Sequence, residues 1–137
     1  MLRFAAAIPL ALTLAACATT PGAERTVAVS GSVTYRERMA LPPTARVEVR
    51  LDDVSLADAP ARTLASETFD AAGRQVPFAF TLTIDRGDID PRRSYAVAAR
   101  ITDADGTLMF ITDTRHSVAF GDASTVDMGT LTLVRTR

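Results

Sequence analysis

The sequence predicts an all-β domain, a two-sheet antiparallel β-sandwich of seven or eight strands, that follows a cleaved signal peptide. The main observation is that apolar and polar residues alternate in most segments beyond residue 25, which is the period of a half-buried strand. Gly, Pro and Asp residues separate these segments. No segment of the domain has the apolar spacing of an amphipathic helix. A small closed barrel is the alternative architecture for such a set of strands.

The first two strands show the clearest alternation. One covers residues 27–35 and the other covers residues 45–52. Between them, Leu41-Pro42-Pro43 is expected to form an extended connection, because proline cannot join a central ladder. The residues predicted to point inward are Val27, Val29, Gly31, Val33 and Tyr35 in the first strand and Ala45, Val47, Val49 and Leu51 in the second.

The middle of the chain adds further strands. Residues 62–69 form a weaker one, whereas residues 78–84 and 95–101 alternate cleanly. Asp105-Gly106 then supplies the residues with positive φ that a hairpin turn needs. Residues 108–112 are apolar on both faces, which indicates a central position in the sheet. The inward sets of the two regular strands are Phe78, Phe80, Leu82 and Ile84, and Tyr95, Val97, Ala99 and Ile101.

The C-terminal part of the chain holds a short strand at residues 117–120 and a long one at residues 126–134. The apolar residues of the long strand occupy even positions before Gly129 and odd positions after it. One extra residue in a strand produces such a change of phase. The pattern therefore predicts a β-bulge near Gly129.

Residues 1–16 have the layout of a secretory signal peptide, with one positive charge, an uncharged apolar run and small residues before Cys17. The apolar run, residues 4–14, would reach only about 16 Å as a helix, which is too short to span a bilayer. Leu14-Ala15-Ala16-Cys17 resembles a bacterial lipobox, in which the cysteine receives diacylglycerol and its new amine is acylated after cleavage. Two or more acyl chains make such anchoring durable. The alternative is a chance cysteine in a signal peptide that is discarded whole.

These signals divide the chain into a signal peptide, a lipidated flexible tether over residues 17–25 and a β-sandwich domain over residues 26–137. Ala18, rather than Asp, follows the cysteine, so we expect the outer membrane of a Gram-negative bacterium, with the domain facing the periplasm. A lone cysteine can form no internal disulfide. The formal net charge of −1 comes without a basic stripe, so nucleic acid is not an expected partner.

Catalysis is not expected from this sequence. The only histidine, His116, lies beside Ser117 and near Asp113. Neighbours on one strand diverge to opposite faces, whereas a hydrolytic triad must converge in a pocket. We therefore interpret His116 as a surface residue at a strand edge. One histidine and one cysteine are too few soft ligands for zinc, and no cofactor is expected.

An acidic loop contains Asp85, Asp88 and Asp90 within residues 84–93. Carboxylates at this spacing are able to hold calcium. The arginines in the same stretch can neutralise them, and the spacing does not follow the calcium-loop pattern. The alternative is a solvated loop in which Asp90-Pro91 begins a turn.

Two long stretches, residues 29–61 and residues 73–101 continuing into 105–114, carry a family resemblance. Their specific motifs are VSGxVTYRERxALPP, VxLxDVSxADAPA and GxQVPFxF. The chain resembles the YbaY-like lipoproteins, which are grouped with the YscW-type lipoprotein chaperones of type III secretion. The resemblance implies a β-sandwich lipoprotein. For the YscW-type branch it implies a pilotin, a lipidated chaperone that carries a secretin subunit to the outer membrane.

Two polar runs follow the first two strands and are candidates for one binding patch at an end of the sandwich. They are Arg36, Glu37 and Arg38, and Asp52, Asp53 and Ser55. The alternative is that these residues fix loop geometry through local salt bridges and Asx turns.

The leading hypothesis is a non-enzymatic outer-membrane lipoprotein, anchored in membrane lipid through acylated Cys17. Its domain would bind or chaperone an envelope protein such as a secretin, in a groove or at a sheet edge. The alternative is a periplasm-facing module that binds a small ligand or glycan. That alternative needs an exposed aromatic platform, and the only candidates, Tyr35 and Tyr95, are on inward phases.

Overall fold

The computed structural model describes residues 25–136, and nearly all of its regular structure is β-strand. The strands are β1 (Thr26–Tyr35), β2 (Arg46–Asp53), β3 (Arg62–Asp70), β4 (Phe78–Asp85), β5 (Tyr95–Thr102), β6 (Leu108–Ile111), β7 (His116–Val118) and β8 (Thr125–Arg135). A single 3₁₀ turn, Arg86–Asp88, follows β4. The all-β class is thereby confirmed, and the strands fall close to the predicted segments.

The signal peptide, the lipobox and most of the predicted tether lie outside the described residues. Within residues 25–136, no helix has the length and apolar character needed to cross a bilayer.

The strands form one continuous sheet rather than two separate ones. Its order is β3-β2-β5-β6-β8-β1-β4, with β7 paired to β5. The physical reason lies in β8, which pairs with β1 from Thr125 to Leu133 and then with β6 at Val134 and Arg135. This long strand belongs to both halves, so the sheet curls into a barrel-like shape. The β1–β8 pair is parallel, and the other pairs are antiparallel.

Side chains, not a ladder of strand pairing, join the two edge strands β3 and β4. Phe69 and Phe78 pack edge to face with ring centroids 5.8 Å apart. Arg74 lies over both rings, at 5.7 and 6.0 Å from their centroids. The backbone N–H of Thr81 donates to Oε2 of Glu67 over 3.0 Å. These contacts cover the seam between the two edges, which otherwise expose unpaired backbone groups.

The core fills the inside of the curled sheet with the predicted inward residues. Tyr35 and Phe110 stack within it, with ring centroids 4.1 Å apart and an interplanar angle of 10°. The Tyr35 hydroxyl remains satisfied because it donates to the Met39 carbonyl over 2.7 Å. The largest of the fully buried side chains are Val27, Val29, Val33, Val47, Val49, Leu51, Leu82, Val97, Ile101, Phe110, Leu131 and Leu133.

The predicted β-bulge near Gly129 is confirmed. Ser30 is paired with Asp127 and Ser32 with Thr130, so β8 has one residue more than β1 across this interval. Gly129 has a φ of +67°, which a residue without a Cβ adopts at little cost. Its N–H donates to Oδ1 of Asp127 over 2.8 Å. The bulge shifts the inward face of β8 from the even positions of Val126 and Met128 to the odd positions of Leu131 and Leu133.

Candidate interaction surface

The barrel has two ends, which we call the proximal end and the distal end and define by the loops that they contain. The proximal end holds Arg25, where the described chain enters β1, together with residues 54–61 and 86–94. The distal end holds residues 36–45 and 103–107, and the loop between β3 and β4. The pairing of Thr26 with Asp85 and of Asp53 with Arg62 and Tyr95 defines the proximal end.

The predicted polar patch is divided between these two ends. Arg36, Glu37 and Arg38 lie at the distal end, whereas Asp52, Asp53 and Ser55 lie at the proximal end. The eight residues of β2 separate the two groups by about 26 Å. β1 ends at the distal end, whereas β2 runs back and ends at the proximal end, so the residues that follow the two strands lie at opposite ends. The structure therefore does not bring the six residues together as one patch.

Asp52 and Asp53 are nearly buried, at 5 % and 8 % exposure. Asp52 accepts hydrogen bonds from Arg50 Nε over 2.8 Å and from Thr63 Oγ1 over 2.7 Å. Asp53 accepts from the Ser55 N–H over 3.0 Å and from Arg93 over 2.9 Å. Hydrogen bonding by Ser55, and then by Arg93, holds the pKa of Asp53 below its usual value. This geometry matches the alternative of local salt bridges and an Asx turn, while a binding role for these residues stays a prediction.

The same group of residues fixes the base of the loop between β2 and β3. Val54 N–H donates to the Ser94 carbonyl over 2.9 Å, and Ser94 N–H donates to Oγ of Ser55 over 2.9 Å. Arg115 donates to the Val54 carbonyl over 3.3 Å. Beyond this base, Leu56 has 66 % of its surface exposed, the largest value among the exposed large apolar residues.

The distal half of the predicted patch is more open. Arg36 and Arg38 are exposed, and Glu37 is half-buried. Burial, followed by the charge of Glu37, raises the pKa of Tyr35.

Oε2 of Glu37 and Nε2 of His116 are shielded from solvent and have no hydrogen-bond partner within residues 25–136. His116 itself is half-buried on β7, opposite Val97.

The acidic loop is organised by local hydrogen bonds. Asp85 accepts from the Gly87 N–H over 2.9 Å, which caps the 3₁₀ turn. Asp90 accepts from the Arg92 N–H over 2.9 Å, and the hydrogen bonds from Arg92 lower the pKa of Asp90. Asp88 is exposed. In the part of the chain that the structure describes, no three His, Cys, Asp or Glu side chains are placed to hold a metal ion. The Asp90–Arg92 contact is the turn that the alternative of a solvated loop predicts, and calcium binding by the loop stays a hypothesis.

A groove on the outer face of the sheet was not predicted from the sequence. It encloses about 190 Å³ and lies over β2, β5 and β6. It forms where β6 ends, because Thr112 leaves the ladder after donating its N–H to the Ala99 carbonyl over 3.0 Å. We call it the β5–β6 groove, and its lining residues are Glu48, Arg50, Ala98, Ala99, Arg100, Leu108, Ile111 and Thr112.

The β5–β6 groove combines an apolar wall with a charged rim. Ile111 and its strand partner Val134 are each 36 % exposed and lie side by side. Across the groove, Oε2 of Glu48 lies 3.1 Å from Nη2 of Arg100, and Oε1 of Glu48 lies 3.6 Å from Nη1 of Arg50. This volume suits one or two side chains of a partner better than a drug-sized ligand, which needs roughly 300 Å³ or more. One sequence signal for the groove was available. The strand at residues 108–112 is apolar on both faces, so a solvent-exposed face of this strand would present an apolar surface.

The fold and this surface define a small β-barrel domain with an exposed apolar groove. The chain belongs to the family of type III secretion system lipoprotein chaperones (YscW), whose model matches residues 24–129. The family resemblance that the sequence motifs indicate is thereby confirmed.

Two relatives place the chain within this family. It is 36 % identical over 137 aligned residues to the uncharacterized lipoprotein YbaY of Escherichia coli K12, covering 86 % of this chain and 72 % of the relative. A solved structure of an alternative pilotin from the type II secretion system of Vibrio cholerae is 45 % identical, with a TM-score of 0.70. That match covers 82 % of this chain and 100 % of the pilotin chain.

Proposed function

We propose that this protein is a non-enzymatic, pilotin-like lipoprotein that binds an envelope protein such as a secretin subunit and accompanies it to the outer membrane. The observation that carries the proposal is the 45 % identity to a type II secretion pilotin over the whole of that pilotin chain. The family description as a lipoprotein chaperone supports the same role. Within the family the domain would act by binding, and no catalytic group is assigned to it.

The lipid anchor of this proposal is Cys17. The Leu14-Ala15-Ala16-Cys17 sequence would be cleaved before the cysteine, which would then carry diacylglycerol and an acyl chain on its amine. Each buried CH₂ of such chains contributes about 0.8 kcal/mol to membrane binding, so several chains together hold a protein durably. The carrier role depends on this anchor, because the partner reaches the membrane only through it.

The β5–β6 groove is the surface that we assign to the partner. Its exposed apolar residue, Ile111, lies beside the Glu48–Arg100 ion pair and next to Val134 of the neighbouring strand. An apolar side chain buried beside a charged rim is the usual arrangement of an interface core. The partner segment is therefore expected to place an apolar side chain against Ile111 and polar groups over Glu48 and Arg100.

The alternative of a glycan or small-ligand module has little support. Tyr35 and Tyr95, the aromatic residues considered for a platform, are 6 % and 5 % exposed. Tyr35 stacks on Phe110, and Tyr95 packs edge to face on Phe120. Neither ring offers a face to a sugar.

Crosslinking followed by pulldown from envelopes tests the proposal. The wild type is compared with Ile111→Asp, which places a charge in the groove, and with Thr83→Asp on the exposed face of β4. Both sites are exposed, so both variants should fold. We expect the wild type and Thr83→Asp to capture the same envelope protein and Ile111→Asp to lose it. Capture of no envelope protein by the wild type would refute the binding role. Equal capture by all three proteins would show that the β5–β6 groove is not the binding surface.

A further inference from the structure

The loop between β2 and β3 is exposed and mostly apolar. Residues 55–61 are all exposed, and they read Ser-Leu-Ala-Asp-Ala-Pro-Ala. Leu56 is 66 % exposed, although a leucine at a loop tip gains nothing from contact with water. These side chains neither line the β5–β6 groove nor pack in the core. Leu56 is followed by the exposed small apolar residues Ala57, Ala59, Pro60 and Ala61, and a contiguous apolar surface is the kind that marks a protein or membrane contact.

The base of this loop is held in place by several hydrogen bonds. Asp53 binds the Ser55 N–H, Ser55 binds Ser94, and the Val54 carbonyl accepts from Arg115. Because the base is fixed on both sides of Val54, the position of Leu56 relative to the barrel is set by the fold. The tip therefore projects from the proximal end.

The proximal end is also the end that Arg25 occupies. Arg25 follows Cys17 by eight residues, and eight residues span at most about 29 Å even when fully extended. If Cys17 carries the lipid of the proposed function, the proximal end lies within that distance of the bilayer. The distal end lies at the other end of β2, about 26 Å from the proximal end.

We propose that residues 56–61 make a shallow contact with the lipid headgroups of the membrane that holds the anchor. This inference rests on the proposed lipidation of Cys17. Leu56 enters the boundary between headgroups and acyl chains, while Asp58 keeps the rest of the loop at headgroup level. Arg62, exposed directly after the loop, lies where it can meet lipid phosphates.

The contact needs little intrinsic affinity, because the tether makes it intramolecular. A short flexible connection gives an effective concentration on the order of millimolar, so a weak second contact still forms. The anchor and the loop together are two attachment points, and they restrain the rotation of the barrel on the membrane. The β5–β6 groove, on the side of the barrel, then stays open to a partner.

The test uses the lipidated full chain in vesicles of phosphatidylethanolamine and phosphatidylglycerol. An environment-sensitive fluorophore is attached at Leu56→Cys or, as a matched control at the distal end, at Ala104→Cys, which is also exposed. The thioether of a lipidated Cys17 cannot react with the label. A third protein carries the label at Ala59→Cys together with Leu56→Asp, and is compared with Ala59→Cys alone.

We expect the label at residue 56 to gain at least about twofold in fluorescence on reconstitution and to be quenched by nitroxide lipids, as an interfacial position should be. The label at residue 104 should show neither effect, and Leu56→Asp should reduce the signal at residue 59. Equal signals at residues 56 and 104 would overturn the proposal. A change at residue 56 that appears only when the partner protein is added would overturn it as well, because the loop would then be a protein contact.

The intact mass of each labelled protein separates this outcome from failure of the anchor. A protein without lipid carries a second label on Cys17 and lacks the added acyl mass. That result would refute the proposed lipidation itself. A correctly lipidated protein without a signal at residue 56 would refute only the loop contact.

Discussion

Gly31 of β1 faces the carbonyl oxygen of Gly129 of β8 across the parallel strand pair. A Cβ added to Gly31 would lie 2.6 Å from the carbonyl oxygen of Gly129 and 3.0 Å from the Phe80 ring. The bulge at Gly129 turns this carbonyl toward β1, and only a residue without a side chain leaves room for it. The junction between the two halves of the barrel therefore depends on glycine at position 31.

Gly31→Ala should destabilise the fold. The clash is with backbone, so the strands must move apart, and overpacking of this kind costs about 1–3 kcal/mol in the free energy of unfolding. Urea titration of the purified domain provides the measurement. Gly121→Ala is the matched control, because nothing lies within 4 Å of a Cβ there. Equal midpoints for Gly31→Ala and the wild type would show that the strand pair adjusts without cost.

The stack of Phe110 on Tyr35 leads to a second prediction. Phe110 has no exposed surface, whereas Ile111, the next residue, is 36 % exposed. Phe110→Ala should lower the free energy of unfolding by about 3–5 kcal/mol, since it leaves a cavity beside the ring of Tyr35. Ile111→Ala should change it by less than about 1 kcal/mol. Thermal melts of both variants test this prediction. Similar losses of stability in the two variants would contradict the placement of Phe110 in the core and of Ile111 at the surface groove.

Arg86 connects the 3₁₀ turn to the loop that precedes β8. Its guanidinium donates to the carbonyls of Gly121, Asp122 and Ala123 over 3.1, 3.0 and 2.6 Å. Arg86→Ala should speed amide exchange in residues 121–124 and cost about 1–3 kcal/mol in stability. Arg86→Lys keeps the charge but lacks the planar fork, so it should restore only part of the protection. Unchanged exchange in Arg86→Ala would mean that the loop is held by other contacts.

The pH dependence of stability gives a further prediction, for Asp53. Its pKa in the folded protein is lowered, first by hydrogen bonding from Ser55 and then by Arg93. A lowered folded pKa means that the carboxylate stabilises the fold above the unfolded pKa of about 3.9. This contribution disappears as the pH falls through the folded value. The stability difference between the wild type and Asp53→Asn should therefore be largest near neutral pH and shrink below about pH 4.

Urea titrations between about pH 2.5 and pH 7 measure this effect. Asp122→Asn, in an exposed loop, serves as the control. A constant difference between the wild type and Asp53→Asn over the whole range would show that the charge of Asp53 contributes nothing to stability.

The sequence allowed prediction of the strands and of the inward faces, because alternation reports directly which side of a strand is buried. The change of phase around Gly129 was sufficient to locate the bulge. The parallel β1–β8 pair was not predictable, since it joins residues about 100 positions apart and leaves no local pattern. For this reason the two expected sheets form one curled sheet instead.

The candidate sites were less predictable than the strands. Asp52 and Asp53 both read as polar residues at a strand end, yet both are nearly buried. Asp53 continues the inward phase of β2, whereas Asp52 is covered by Arg50 and Thr63, contacts that alternation alone does not reveal. The β5–β6 groove arises from the end of β6 at Ile111, a boundary that depends on tertiary pairing.

The last prediction concerns the membrane anchor. Cys17→Ser removes the thiol that would receive diacylglycerol, so the protein should lose the added lipid mass and leave the membrane fraction. Its melting temperature should remain that of the wild type, because the strands and the core that they enclose are built from residues 26–135. Intact mass, fractionation and a melt of the purified proteins measure the three effects. A wild type that is unmodified and free in the periplasm would refute the anchor and, with it, the carrier role, because a protein without lipid has no means of taking a subunit to the membrane in this way.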